Sequence, residues 1–514
     1  MQNQNDYESA WRTYACEEEM PRFLSDSEED LLRICDCVDP QQRYGKRPRT
    51  SGGIPLHFDA ERSRLYVLKQ GPHTSVEGIT GCGKSRTVVR GAIVSAALNH
   101  DSLIAADPKG ELCGDPKIQY ILKKEGYSVH VLDFRTFDKD GFNLFTGIIG
   151  MKKAGRDLAA ADAIQRFTAP LHAGKVTKDD YWNDLAEQLI ASAMTFVLEA
   201  LAELNRLEDF HIGTVSRFMD QDQDTIRAIF SCILENVRER DVSVWSSLQK
   251  YADIYKNPER TCACIISSAA AMLSVFTNSE AMGRMLSVST FQLQDFYRSP
   301  SALFLVVPDE TNAYDAIVGQ LLNTFYELLV SEYAASWQEN GPAPCSIKFL
   351  CDEVASVKIS DMSAKISASR SRQIDWTLIY QSEPQMEKAY PEDFPSIRGN
   401  CRTRIFMGSS DCKVLQRIST EAGSTQTTAT GQSEPLVSID ALRRMRHAQA
   451  FKEALVMRDQ WLYCARLPDY DVYPFLQAGP RMRWPDRLSR SRVRYYSPKD
   501  LYRDFKRERL TFTA

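Results

Sequence analysis

One stretch constrains this chain more than any other: Gly78-Ile-Thr-Gly-Cys-Gly-Lys84-Ser85, which fills every position of a G-x-x-x-x-G-K-S/T phosphate-binding loop. Glycines let backbone N–H groups wrap phosphate oxygens, the lysine reaches the β- and γ-phosphates, and the serine hydroxyl faces Mg2+. The loop residues expected at the nucleotide are Gly78, Thr80, Gly81, Cys82, Gly83, Lys84, Ser85 and Thr87. Context decides whether such a match is more than a Gly-rich turn. Upstream, Leu65–Leu68 and His73–Val76 read as short strands. Downstream, Val88, Val89, Ala92, Ile93 and Ala96 recur at helical spacing, so the loop opens a helix whose N-terminus faces the anion.

The same alternation of strand and helix continues to about residue 150. Ser102–Ala106 is a buried strand, Pro116–Lys124 a helix and Ser128–Leu132 a strand, the pattern of a parallel sheet covered by helices. Between 151 and 298 the pattern turns helical: Leu185, Leu189, Ala193, Phe196, Val197, Ala200, Leu201 and Leu204 share one face. Alternation then returns with a strand at Ala302–Val307, a helix at Asp315–Tyr333 and strands at Ser346–Cys351, Trp376–Tyr380 and Thr403–Met407. The expected fold is α/β, a P-loop domain with a mainly parallel sheet interrupted by an all-α domain. Its segments are an acidic N-terminal segment and linker (1–50), a first nucleotide-binding part (51–150), the all-α domain (151–298), a second nucleotide-binding part (299–475) and a basic tail (476–514).

At 514 residues, two or three domains are expected, and 43% hydrophobic with 25% charged content is that of a globular chain. No uninterrupted run of about 18 apolar residues exists, and the N-terminus lacks the basic and apolar regions of a secretory signal, which points to the cytoplasm. Thirteen scattered cysteines give no zinc spacing and read as reduced thiols; Cys82 alone sits where oxidation would touch the loop. The net charge of −5 hides an asymmetry. Residues 1–40 hold eleven Asp/Glu against three Lys/Arg, and residues 480–514 hold eleven Lys/Arg against four Asp/Glu. The tail has two readings: an arm whose Arg481, Arg483, Arg487, Arg490, Arg492 and Arg494, with Trp484, Tyr495 and Tyr496, binds single-stranded nucleic acid, or a clamp on the acidic residues 1–40.

A P-loop enzyme needs a carboxylate at a neighbouring strand end to hold Mg2+ and a base for the attacking water. The strand Ile347–Cys351 is followed by Asp352, placed at the metal, and Glu353, placed at the water. Asp107, Lys109 and Glu111 close the strand after the loop helix, where the crevice of a parallel sheet lies; a tight Pro-Lys-Gly turn is the plainer reading. Gln381 ends another apolar strand and is placed to sense the γ-phosphate. Arg370 and Arg372 precede that strand, either as surface arginines or as a finger reaching an adjacent subunit's nucleotide.

Residues 54 to 475 resemble the type IV coupling proteins of bacterial conjugation and secretion (the TraG/TraD kind), within the FtsK/HerA group of DNA-pumping ATPases. The resemblance rests on Gly78–Ser85, Leu103–Leu112 with Asp107-Pro-Lys-Gly-Glu111, Val131-Leu-Asp133-Phe, Asp180-Tyr-Trp182-Asn-Asp-Leu-Ala186, Phe349–Ala355, Ser369–Ile374, Tyr380–Gln385 and Asn400–Ser409, in the family's order. It implies a RecA-like domain, a homo-hexameric ring around a channel, ATP and Mg2+ at Lys84 and Ser85, and Asp352 and Glu353 as the Walker B pair. It also implies Gln381 as sensor, Arg370 as the trans-acting arginine, and single-stranded DNA with its relaxase and the channel proteins as partners. Two departures stand out: no membrane-spanning segment is visible, so contact with the inner membrane is expected only through a partner, and the C-terminal tail is basic where the family's is acidic. A nucleotide-gated receptor for protein cargo and a soluble FtsK/HerA-like motor are the alternative functions.

Overall fold

The computed structural model describes residues 22–42, 52–69, 71, 73–171, 180–219, 224, 226–228, 230–231, 242–308, 310–426 and 433–512. The chain divides into two compact units. One comprises Met1–Val129, Gln294–Asp309 and Glu332–Arg483; the other comprises His130–Leu293, Glu310–Ser331 and Trp484–Ala514.

Fifteen strands are found among the described residues. In chain order they are β1 (Arg22–Leu24), β2 (Cys35–Val38), β3 (Pro55–Asp59), β4 (Arg64–Leu68), β5 (Thr74–Glu77), β6 (Ser102–Ala106), β7 (Ser128–Asp133) and β8 (Ser301–Val306). After them come β9 (Ile347–Cys351), β10 (Ile374–Tyr380), β11 (Thr403–Phe406), β12 (Ser424–Gln426), β13 (Ser433–Pro435), β14 (Phe451–Arg458) and β15 (Trp461–Pro468).

The sheet of the first unit runs β1-β15-β14-β11-β5-β10-β9-β6-β8, and β7 begins beside Pro300, whose carbonyl accepts from Ser128 N–H (3.1 Å). From β11 to β8 every pairing is parallel. Strands β8 and β9 are buried along their whole length, which is why they read as unbroken apolar runs. The hairpin β14–β15 adds antiparallel strands beyond β11, and β1 pairs parallel with β15.

Several expectations need correction. Leu65–Leu68 lies in β4, which belongs not to the large sheet but to a separate antiparallel sheet in the order β2-β4-β3. Of the expected acidic segment and linker, residues 1–21 and 43–50 lie outside the described residues. The remainder folds: Ser27 caps a helix at Glu28–Ile34, and Phe23 and Leu24 pair with Leu462 and Tyr463.

The second unit is helical, with Thr146–Lys153, Asp157–Thr168, Asp180–Glu203, Ile212–Met219, Val242–Ile254, Glu259–Thr277 and Pro498–Phe512 among its helices. It begins at His130 rather than 151, and Glu310–Ser331, expected in the nucleotide-binding part, belongs to it because Phe142 packs edge-on against Phe325 (4.9 Å between centroids). Leu189, Ala193, Phe196, Val197, Ala200 and Leu201 are fully buried, as their spacing predicts. Two helices here, Tyr181–Glu203 and Glu259–Thr277, are long and apolar enough to cross a membrane by length and composition alone; the first is mostly buried within the unit, as a core helix is.

Trp484–Ala514 also belongs to the helical unit. Arg487 donates to both oxygens of buried Asp140 (3.0 and 2.9 Å), and Lys139 pairs with Asp486 (2.5 Å). The ring of Tyr495 lies so close to Gly213 that no side chain fits there. Tyr496 is fully buried and donates to Asp504 (3.0 Å), which also pairs with Arg494 (2.8 Å). Neither sequence reading of the tail survives for these residues: their partners are carboxylates and ring faces of their own unit.

Candidate nucleotide site

The site lies in the first unit, at the end of the sheet where the parallel strands finish. Because β5, β6, β9 and β10 run the same way, the residues that follow them converge: Gly78 after Glu77, Asp107 after Ala106, Asp352 after Cys351 and Gln381 after Tyr380. Two loop glycines adopt conformations closed to other residues, with φ of +82° at Gly81 and +95° at Gly83. A π-turn at Ser85–Val89 then leads into the helix Arg90–Asn99.

Lys84 is buried and donates to the loop's own carbonyls, Gly78 O (2.5 Å) and Ile79 O (3.1 Å). Ser85 Oγ donates to Asp352 Oδ2 (2.9 Å), bringing a hydroxyl and a carboxylate together as a hard-oxygen pair suited to Mg2+. Gln381 Nε2 donates to both carboxylate oxygens of Glu353 (3.3 Å each). Glu353 itself has φ +54°, a left-handed conformation that costs about 1–3 kcal/mol and is held in place by its surroundings.

Burial pushes the carboxyls of Asp352 and Glu353 above their ordinary values. For Asp352 the Ser85 hydrogen bond and Lys84 pull the other way; for Glu353 the neighbouring Asp352 charge adds to the rise. A carboxylate with a raised pKa is a stronger base for a water proton. Lys109 is exposed, and its charge acts on Asp352.

Not every sequence candidate faces the site. Thr87 sends both its N–H (3.0 Å) and its hydroxyl (3.1 Å) to Gly83 O and is fully buried, so it closes the loop's exit rather than reaching a ligand. Asp107 is buried and accepts from Leu112 N–H (3.1 Å) and Cys113 N–H (2.9 Å), stapling its own turn. Glu111 is exposed and pairs with Arg90 (3.7 Å). The Cys82 thiol is buried and its pKa raised by that burial, which disfavours the oxidation-prone thiolate. Thr80 and Gly81 are exposed at the loop's crest.

Arg370 and Arg372 stand before β10, at the opposite end of the sheet. Seven strand residues at about 3.3 Å each separate them from Gln381 by about 20 Å, so neither reaches the phosphates bound by its own chain. Arg372 donates to Ala368 O (2.5 Å), while the Arg370 side chain is exposed.

Sequence reasoning missed residues that hold the loop. Arg86 is clamped by Asp469 (2.7 Å) and Asp471 (2.5 Å), and Tyr470 lies beneath the cations of Arg86, Arg90 and Lys117. The Lys452 stem covers Gly83 closely enough to exclude any side chain. These partners lie far off in sequence; only Arg86, beside Ser85, carried a local hint.

Comparison with known proteins accords with this geometry. A family model described as type IV secretory system conjugative DNA transfer matches residues 38–466. Comparison with curated protein sequences returns no match. Among solved structures, the plasmid coupling protein TrwB with the non-hydrolysable ATP analogue ADPNP is similar at a TM-score of 0.56 and 15% identity, covering 87% of this chain and 98% of that one. TrwB with ADP and Mg2+ gives 0.52 at 14% identity, covering 80% and 87%. A bacterial conjugative coupling protein in a trigonal form with sulphate gives 0.52 at 16%, covering 79% and 89%. At such identities the likeness is one of fold; the family match extends over most of the chain. The chain belongs to the type IV secretory system conjugative DNA transfer family.

Proposed function

We propose that this chain is an ATP-hydrolysing coupling protein that recruits single-stranded DNA, with or without a bound relaxase, and moves it to a type IV secretion or conjugation channel. The observation that carries the reading is the pairing of Ser85 with Asp352 (2.9 Å) beside the Glu353–Gln381 contact (3.3 Å), next to a loop whose Gly81 and Gly83 take positive φ. Lys84 leaves the carbonyls of Gly78 and Ile79 for the β- and γ-phosphate oxygens. Ser85 and Asp352 would hold Mg2+, which would supply neutralisation of phosphate charge. Glu353 takes a proton as the water oxygen bonds to the γ-phosphorus and the bond to the bridging oxygen breaks. Gln381 keeps Glu353 oriented, and Lys109 lies close enough to Asp352 to add positive potential.

Arg370 acts in trans in this reading, since its own phosphates are out of reach. A ring, hexameric as in the family, gives each Arg370 a neighbour's nucleotide. The motor works at the cytoplasmic face of the inner membrane, with membrane contact through a partner.

The test is ATP hydrolysis with and without single-stranded DNA. Lys84→Ala should lower turnover on the order of 10²–10³-fold without lowering the melting temperature. A turnover equal to the parent's would mean that the nucleotide site is misassigned. Mixing Lys84→Ala with Arg370→Ala protein should restore activity at interfaces that combine an intact loop with an intact arginine. No recovery in a proven mixed assembly would remove Arg370 from the role.

A further inference from the structure

Arg370 lines an open cleft of about 670 Å3 with Arg398, Arg402 and Arg404. From this cleft a chain of ion pairs leads to the phosphate loop. Arg404 Nη1 meets Glu421 Oε2 (2.7 Å), and Arg398 bonds the other oxygen of the same carboxylate. Through Nε, Arg398 also holds Glu383 (2.7 Å). Arg417 joins Glu383 (3.0 Å) to Glu77 (2.6 Å), and Glu77 accepts the backbone N–H of Glu383 (3.2 Å).

Both ends of this chain are functional elements. Glu77 immediately precedes Gly78, and Glu383 lies two residues beyond Gln381. Ser382 provides no side-chain cap for the helix Glu383–Ala389, so the Glu77 carboxylate fills that place and fixes the Gln381 turn to the start of the phosphate loop. Glu77 and Glu383 are buried, where an ion pair is directional and losing one partner is costly. A guanidinium carries five N–H donors. Arg404 gives Nη1 to Glu421 and Arg402 gives Nε to Asp459 (2.6 Å), which leaves donors on both for a phosphate in the cleft.

We propose that Glu77, Glu383, Arg398 and Arg417 are positioning residues that connect the arginine-lined cleft to the Gln381 turn. A phosphate engaged in the cleft draws on Arg398, shifts its hold on Glu383, and so changes how Gln381 stands against Glu353 in the same chain. The inference rests on the trans role of Arg370: the phosphate belongs to the nucleotide of a second copy, and consecutive sites become coupled.

The experiment uses the full chain and Mg2+-ATP, recording kcat, KM and the Hill coefficient, with ADP affinity measured by calorimetry. Glu383→Gln should lower kcat about tenfold, leave ADP affinity within about twofold and bring the Hill coefficient to one. Arg398→Lys, a milder change that keeps the charge but loses the planar fork whose separate nitrogens meet Glu383 and Glu421, should also remove the cooperativity. If both variants keep the parent's kcat and Hill coefficient and only the melting temperature falls, the pairs serve the fold and the inference is wrong. A Hill coefficient of one in the parent overturns it as well. Gln381→Ala separates the layers: reduced kcat there with unaffected Glu383→Gln sinks the relay alone, while unchanged kcat in Gln381→Ala sinks the site assignment and the relay together.

Discussion

The two ends of the sheet both bury charge, but they hold it in different ways. Where the strands begin, Lys348 is buried between Asp375 (2.5 Å) and Asp101 (3.7 Å). The two carboxylates keep its ammonium charged against burial, while burial pushes Asp101 up to about 6 despite Lys348. Where the strands finish, Lys84, Asp352 and Glu353 form no salt bridge among the described residues, and one of them sits in left-handed backbone. The charges around Lys348 satisfy each other and support the fold. Charges held apart on a constrained backbone await a ligand that completes them.

The largest effect that would break this comparison is at Glu353. Glu353→Gln keeps the shape and the Asp352–Ser85 pair, so nucleotide binding should persist while turnover falls on the order of 10²–10⁴-fold. Equilibrium binding of ADP beside a turnover assay checks it; lost binding with lost turnover would make Glu353 a ligand-holding group instead.

At the other end the expectation reverses. Lys348→Met leaves buried Asp101 and half-buried Asp375 without their cation and should cost about 3–5 kcal/mol of stability, read from denaturant unfolding. ADP affinity of the folded fraction should stay within about twofold of the parent's. Intact stability with weakened ADP binding would mean that the two ends are not separate in role.

The site was legible where its signal is local. Gly78–Ser85 carries its geometry in its own spacing, and Asp352 and Glu353 follow a strand buried on both faces. The hairpin β14–β15 was not read, because its pairing with β11 is set by Phe406↔Leu455 and its neighbours, contacts about 50 residues apart in sequence. The tail misled for a related reason. Its arginines are visible as charge, whereas Asp140, the acceptor of Arg487, lies 347 residues away. Glu77 and Arg417, separated by 340 residues, were invisible in the same way. Composition reports that a charge exists; only the fold reports what it meets.

The smallest effect concerns protons at the strand-finishing end. Burial and the Asp352 charge raise the Glu353 carboxyl above its ordinary 4.5, and the Gln381 hydrogen bond opposes that rise. A base must be deprotonated to act, so turnover should fall as the pH drops through a value above 4.5, sooner than an ordinary glutamate would allow. Removing the Gln381 donor takes away a group that favours the charged form. In Gln381→Ala, therefore, the acid limb of the kcat profile should move further toward neutral, even as kcat itself declines. A limb that moves the other way would show that the titrating base is not the carboxylate beside Gln381, and the contrast between the paired and the waiting ends would lose its catalytic half.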